Sequence, residues 1–204
     1  MSTYGNGLSA KKIQHMSSAS YKTNKEVKNI GRYKLDKSLS TSEAKVFVNT
    51  DTGKVVVANR GTKPTLKDWT NNLSLLVGQY KNTQRYKNAR DIQQKVIDKY
   101  PNYKVLNIGH SQGAAITKRL NEEGLTSEII NINPAALPTD KKKDNETTIR
   151  SSGDVISMYD KPKKGDVMIK SETVNPLAEH KTTIVDRLEP KTYIGAGFSF
   201  WVED

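Results

Sequence analysis

The segment NIGHSQGAAI, residues 107–116, constrains the fold of this chain more than any other. A β-type run precedes Ser111, and a helical pattern rich in small residues follows it. A strand that turns into a helix at one serine strains the serine backbone and brings the residues two positions away on either side against it. Glycine at both positions, Gly109 and Gly113, avoids a clash with a Cβ atom. The segment therefore predicts a strand, an abrupt turn and a helix, with the Ser111 side chain projecting from the turn.

Short β-branched runs alternate with helical patterns along the rest of the chain. Two of the runs flank the turn NTDTG and predict a hairpin. Such alternation predicts an α/β fold of reduced size, with a mostly parallel central sheet and helices on both faces. The predicted strands span 45–48, 54–58, 104–109, 128–133 and 154–159, and the predicted helices span 9–28, 66–78, 85–103 and 112–124.

The length and charge of the chain limit its organisation and its partners. A chain of 204 residues is long enough for one domain with a core of ordinary size, and we predict a loose tail over 1–8 and a single domain over 9–204. The 33 Lys and Arg residues against 22 Asp and Glu give a net charge of +11. This excess favours anionic partners but identifies no substrate. The lysine-rich pattern that begins at Ser9 predicts a solvated helix with a basic face.

Several residue types and segments are absent from the sequence, and their absence restricts the sites that the chain can form and its expected location. The sequence contains no cysteine, so it can form neither a disulfide nor a thiolate metal site. Its three histidines are widely spaced and do not form a ligand cluster, so we expect no metal and no cofactor. The N-terminal stretch lacks the apolar region of a signal peptide, and no segment approaches the roughly 18 apolar residues of a membrane span. We therefore expect a soluble, intracellular protein.

A nucleophilic serine needs a histidine base and an acid that orients the imidazole ring. His110 adjoins Ser111 inside the turn, which favours a structural role, and His15 lies in the basic N-terminal segment before the predicted strands. His180 comes late in the chain, as the order serine, acid, histidine requires. For the acid, spacing alone leaves open three residues between Ser111 and His180, which are Asp154, Asp160 and Asp166.

Five segments in a fixed order carry a resemblance to a known family. They are NRGT at 59–62, DWTNNL at 68–73, GHSQG at 109–113, GDVIS at 153–157, and His180. Together they resemble the class 3 lipases of the α/β-hydrolase superfamily, the group that includes fungal triacylglycerol lipases. The resemblance extends over about residues 30 to 185.

The resemblance implies a function and a set of site residues. It implies an α/β-hydrolase fold and a serine hydrolase that cleaves carboxylic esters, phospholipid acyl esters included, through an acyl-enzyme. It favours Asp154 as the acid, in a triad with Ser111 and His180. It also implies an oxyanion hole formed by the backbone N–H groups of Thr62 and Gln112, a geometry that would stabilise negative charge on the substrate oxygen. Arg60 and the pair Asp68 and Trp69 are scaffold residues by the same analogy.

The chain also departs from the lipase pattern. Only VGQYKNTQRY, at 77–86, separates two predicted helices where a lipase would carry an apolar lid. We therefore predict an open site, activity on short-chain monomeric esters, and peripheral contact with anionic membranes. The stretch at 33–62 also resembles small lipase-like proteins encoded by some large DNA viruses and their satellites, which would make the protein viral and virion-associated.

A second class of function remains open from the sequence. A hydrolase fold can serve as a structural or binding module, with its basic surface engaging nucleic acid or an acidic partner. The complete set of triad residue types in order favours the enzyme. Scattered lysines without an interleaved aromatic platform argue against nucleic acid as a ligand. The sequence does not indicate which oligomeric state the protein adopts.

Overall fold

The computed structural model describes residues 8–62, 83–135, 141–159, 161–188 and 193–194. Its helices and strands are interspersed along the chain. In order they are β1 (Leu8–Ser9), α1 (Ala10–Ala19), β2 (Lys34–Leu35), β3 (Ala44–Asn49), β4 (Lys54–Asn59), α2 (Gln84–Lys99), β5 (Lys104–His110), α3 (Gln112–Glu122), β6 (Glu128–Ile132), β7 (Glu146–Ser151), β8 (Val167–Ile169), α4 (Pro176–Glu179) and β9 (Tyr193–Ile194).

Strands β2 to β8 form one seven-stranded sheet in sequence order within the described part of the chain. Strands β4 to β8 run parallel to one another, whereas β2, β3 and β4 are connected antiparallel. Strands β1 and β9 pair in a separate antiparallel sheet. The mostly parallel sheet confirms the predicted fold class. The carboxyl ends of the parallel strands share one edge, where sheets of this kind place their functional loops.

Both faces of the sheet are covered by helices. Neighbouring β4 residues point to opposite faces, so that Val56 packs in one apolar cluster and Val57 in another. Helix α1 joins the first cluster through Ile13, and α2 joins the second through Val96. Helix α3 packs against α2 through Leu120. The apolar stripes of the helices therefore build two core layers that hold the sheet rigid.

Several predicted elements are confirmed. The hairpin is formed by β3 and β4 and turns through Gly53, whose φ of 60° suits glycine. The predicted helices at 85–103 and 112–124 correspond to α2 and α3, and Gly124 lies beyond α3 with φ 74°. The helix predicted at 66–78 lies outside the described residues.

The N-terminal segment differs from its prediction. Ser9 caps α1, since its side chain accepts a hydrogen bond from the Lys12 amide, but the helix ends at Ala19. The prediction of a solvated helix was wrong, because Ile13 and Met16 are fully buried against the sheet. Leu8, assigned to the tail, is buried and pairs with β9. Residues 1–7 lie outside the described residues.

The prediction of a strand at 154–159 was also wrong. The Asp154 carboxylate accepts hydrogen bonds from the amides of Ile156 and Ser157 and turns the chain into a short 3₁₀ helix at Ser157–Tyr159. The strand lies earlier, at β7, whose sequence ETTIRS is polar although all six residues are buried. Its charges are paired, Glu146 with Lys118 at 3.3 Å and Arg150 with Asp166 at 2.9 Å.

Candidate active site

The turn at Ser111 has the predicted geometry. Strand β5 ends at His110, α3 begins at Gln112, and Ser111 between them has φ 53°, a strained value for a residue with a Cβ atom. A Cβ at Gly109 would lie 2.5 Å from the Ala114 Cα, and one at Gly113 would lie 2.2 Å from a backbone oxygen of β4. Both glycines are therefore steric requirements, as the sequence predicts.

Backbone hydrogen bonds hold this strained turn in place. The Ser111 amide donates to the Ile132 carbonyl at the end of β6, at 3.1 Å. The Ser111 carbonyl accepts from the amides of Ala114 at 3.0 Å and Ala135 at 3.1 Å. The neighbouring strand and the first turn of α3 thus fix the serine backbone, which is the surrounding support that a strained residue needs.

Asp154 and His180 form a buried hydrogen-bonded pair. The Asp154 Oδ2 atom lies 2.8 Å from Nδ1 of His180, and both side chains are almost completely shielded from solvent. Because a carboxylate only accepts, Nδ1 carries the proton of the neutral ring and Nε2 carries the lone pair. The amides of Ile156 and Ser157, at 3.1 and 3.3 Å, orient the same carboxylate. An imidazole held in this tautomer can accept a proton through Nε2.

The other two candidate acids have different positions. Asp166 accepts hydrogen bonds from Arg150 Nε and Lys142 Nζ, both at 2.9 Å, and from the Lys163 amide at 3.0 Å. It belongs to an ion-pair cluster next to β7 and β8. Asp160 lies outside the described residues. His15 is on the exposed side of α1.

His110 links the predicted nucleophile to the predicted base. Its Nε2 atom lies 2.6 Å from the His180 carbonyl oxygen, and the centroids of the two rings are 5.1 Å apart. Its Nδ1 atom lies 2.5 Å from the Tyr21 hydroxyl. Burial lowers the pKa of His110 to about 3, and the nearby His180 acts in the same direction. His110 is therefore neutral across ordinary pH, and Ser111, its covalent neighbour, lies at the same end of the sheet as His180.

The residues predicted for the oxyanion hole lie on two segments that Arg85 connects. Gln112 is the first residue of α3, where backbone N–H groups have no partner within the helix. The guanidinium of Arg85, on α2, donates through Nη1 to the Gln112 side-chain oxygen and through Nη2 to the Arg60 carbonyl, two residues before Thr62. Thr62 is half-buried. The oxyanion roles of Thr62 and Gln112 stay predictions.

A buried ion pair supports the His180 segment and was missed from the sequence. The Glu179 carboxylate accepts from both terminal nitrogens of Arg187, at 2.7 and 3.0 Å, and from Ser151 Oγ. It also accepts from the amides of Glu172 and Thr173, both at 3.1 Å. Hydrogen bonds from Arg187 lower the pKa of Glu179 to about 2. The spacing of eight residues between Glu179 and Arg187 matches no regular pattern that could have revealed the pair.

The described part of the chain contains neither a metal cluster nor a membrane-spanning helix. No group of three or more His, Cys, Asp or Glu side chains there has an arrangement that could hold a metal ion. No helix there is long and apolar enough to span a membrane.

Comparison with known proteins supports the fold at low sequence identity. No family model matches the chain, and no curated protein matches it. Among solved structures, Lip2 lipase from Yarrowia lipolytica is similar with a TM-score of 0.53 at 14% identity, covering 84% of this chain and 81% of that chain. A lipase from Rhizopus microsporus var. chinensis gives 0.52 at 14%, covering 80% and 74%, and lipase II from Rhizopus niveus gives 0.52 at 13%, covering 81% of both chains. The chain thus has the α/β-hydrolase fold of these fungal lipases.

Proposed function

We propose that this protein is a carboxylic ester hydrolase of the lipase and esterase type, similar to class 3 lipases, with a Ser111, His180 and Asp154 triad. The observation that carries the proposal is the 2.8 Å hydrogen bond between His180 Nδ1 and Asp154. The carbonyl oxygen of the same histidine lies 2.6 Å from the ring of His110, which precedes a serine with φ 53° at a strand-to-helix turn. The fold shared with fungal lipases supports the same reaction class.

The first half of the reaction forms an acyl-enzyme. His180 Nε2 takes the proton of Ser111 as its Oγ attacks the ester carbonyl carbon. The charge that develops on the carbonyl oxygen is stabilised by the N–H groups of Thr62 and Gln112. When the tetrahedral intermediate collapses, the C–O bond to the alcohol breaks and His180 donates its proton to the leaving oxygen.

The second half releases the acid. His180 takes a proton from water, which attacks the acyl carbon, and the new tetrahedral intermediate expels Ser111 Oγ. His180 returns its proton to Ser111, so the enzyme is regenerated and the products are one acid and one alcohol. Asp154 stabilises the imidazolium in both halves through the Nδ1 hydrogen bond.

The proposed substrates are short-chain monomeric esters at an open site. The proposal depends on the polar character of residues 77–86, of which 77–82 lie outside the described residues. The rate on a short ester should rise smoothly across its solubility limit. A sharp increase above that limit would mean that the chain has a lid that opens on a lipid surface. The fungal neighbours do not bear on the resemblance to viral proteins, which stays a prediction.

Turnover of a soluble ester by two aspartate variants tests the proposed site. Asp154→Asn removes the acceptor that fixes the His180 tautomer, and kcat should fall by about 10⁴-fold, the size of this effect in other serine triads. Asp166→Asn is the matched control, since it removes the other described candidate acid. It should lower stability while keeping kcat per folded molecule within about twofold of the wild type. Loss of turnover in Asp166→Asn alone would contradict the triad, and an inactive wild type would favour a binding module.

A further inference from the structure

Tyr21 lies outside every motif and follows α1 by two residues, yet its hydroxyl sits between two segments of the candidate site. It accepts a hydrogen bond from the Gly61 amide at 2.7 Å. It also lies 2.5 Å from His110 Nδ1. We propose that Tyr21 and His110 are positioning residues that align the nucleophile, the base and the oxyanion segment, an inference that rests on the proposed ester hydrolysis.

The direction of each hydrogen bond follows from the chemistry of the groups. The His180 carbonyl can only accept, so His110 Nε2 carries the proton of the neutral ring. His110 Nδ1 is then an acceptor, and the Tyr21 hydroxyl must donate to it. The Tyr21 oxygen in turn accepts from the Gly61 amide. One polarised chain of hydrogen bonds therefore runs from Gly61 through Tyr21 and His110 to His180.

This series of hydrogen bonds connects the segments that carry the nucleophile, the base and Thr62. His110 is bonded covalently to Ser111, and its ring packs 5.1 Å from the His180 ring. Gly61 precedes Thr62 and lies against the nucleophile, since an added Cβ there would be 2.9 Å from the Ser111 Cβ. A residue without a Cβ atom is thus required at position 61, because the Gly61 backbone lies so close to Ser111. The hydroxyl of one tyrosine consequently fixes the distance between the oxyanion segment and the serine turn.

Loss of the hydroxyl should misalign these segments without unfolding the protein. A phenylalanine at residue 21 keeps the ring, whose edge contact with His110 has a centroid distance of 5.8 Å. It leaves His110 Nδ1 and the Gly61 amide without the partner they share. A misplacement of about 1 Å at the reacting groups can lower the rate by about 10²-fold.

The experiment compares Tyr21→Phe with Tyr33→Phe. Tyr33 is a buried tyrosine whose hydroxyl bonds to Asn49 on β3, away from the candidate site, so its loss removes a similar hydrogen bond. On a short soluble ester, Tyr21→Phe should lower kcat at least about tenfold with KM within about twofold, and Tyr33→Phe should leave both unchanged. Equal kcat values in the two variants and an active wild type would overturn the positioning role and leave the proposed function intact.

A second measurement needs no activity and no variant. The ¹⁵N chemical shifts of the His110 ring in the wild-type protein should report the neutral tautomer with its proton on Nε2 from pH 5 to pH 8. A proton on Nδ1 would overturn the proposal, because Tyr21 could then not donate to that atom. An inactive wild type with the expected tautomer would contradict the proposed function, and the positioning role with it.

Discussion

Glu179 anchors the segment that carries the base. Its carboxylate is fully buried and is surrounded by hydrogen-bond donors from Arg187, Ser151 and two backbone amides. Its carbonyl accepts from the Asn133 side chain at 2.7 Å. His180 is the next residue, so the base directly follows a residue whose carboxylate is held by several hydrogen bonds. A buried charge is tolerated only while its partners remain.

Removal of one partner should therefore be costly. Arg187→Met leaves the Glu179 carboxylate buried without its counter-ion, and the free energy of unfolding should fall by about 3 kcal/mol. The matched control is Arg32→Met, which breaks the exposed pair of Arg32 with Asp51 and should cost less than about 1 kcal/mol. Urea unfolding of both variants measures the difference, and equal losses would contradict the structural role of the buried pair.

The same pair predicts the direction of a pH effect. The pKa of Glu179 is lowered from 4.5 to about 2 in the folded protein. A carboxyl group with a depressed folded pKa contributes stability above its unfolded pKa and loses it as the pH falls through the folded pKa. The stability difference between the wild type and Arg187→Met should therefore be largest above pH 5 and shrink towards pH 2.

At the scale of elements, the close approach of α3 to the sheet decides where Ser111 lies. The site for a Cβ at Gly113 is occupied by backbone atoms of residues 59 and 60, at 2.2 and 2.7 Å. Neither of these atoms belongs to a flexible side chain. The first turn of α3 is consequently fixed against the end of β4, and the Gln112 amide with it.

Gly113→Ala should therefore destabilise the fold by at least about 3 kcal/mol, at the upper end of overpacking costs. Gly53→Ala is the comparison, because nothing lies within 4 Å of its Cβ and only its φ of 60° is unfavourable. That change should cost about 1 kcal/mol. Thermal and urea unfolding measure both values. A Gly113→Ala variant as stable as Gly53→Ala would mean that α3 is not held at this distance.

Elements with local signals were predictable from the sequence and those with non-local causes were not. The hairpin, α2, α3 and the turn at Ser111 carry their own turn residues and periodicity. Strand β7 carries no such local signal. Its polar residues can be buried because they form ion pairs with residues elsewhere in the chain, such as Lys118 and Asp166. Asp154 was identified as a candidate acid, but its capping of the following turn was not. Tyr21 and His110 are 89 residues apart, so no local pattern could reveal their contact.

The whole molecule carries a net charge of +11, which no part of the proposed reaction requires. We expect the protein to bind vesicles that contain anionic lipid and not zwitterionic vesicles at low salt. Binding should decline as salt increases, because exposed charges are screened over about 10 Å at 0.1 M and about 3 Å at 1 M. Co-sedimentation with both vesicle types at low and high salt measures this, and equal binding to both at low salt would leave the charge without a membrane role.

The central claim is that Ser111 is an activated nucleophile, and covalent labelling tests it most directly. A fluorophosphonate probe reacts with an activated serine, and mass spectrometry of the digested protein identifies the modified residue. We predict one adduct, on Ser111, that is absent in Ser111→Ala and unchanged in the control Ser38→Ala, which removes an exposed hydroxyl that donates to Asp36. Labelling that persists in folded Ser111→Ala, or a wild type that does not react, would contradict the claim.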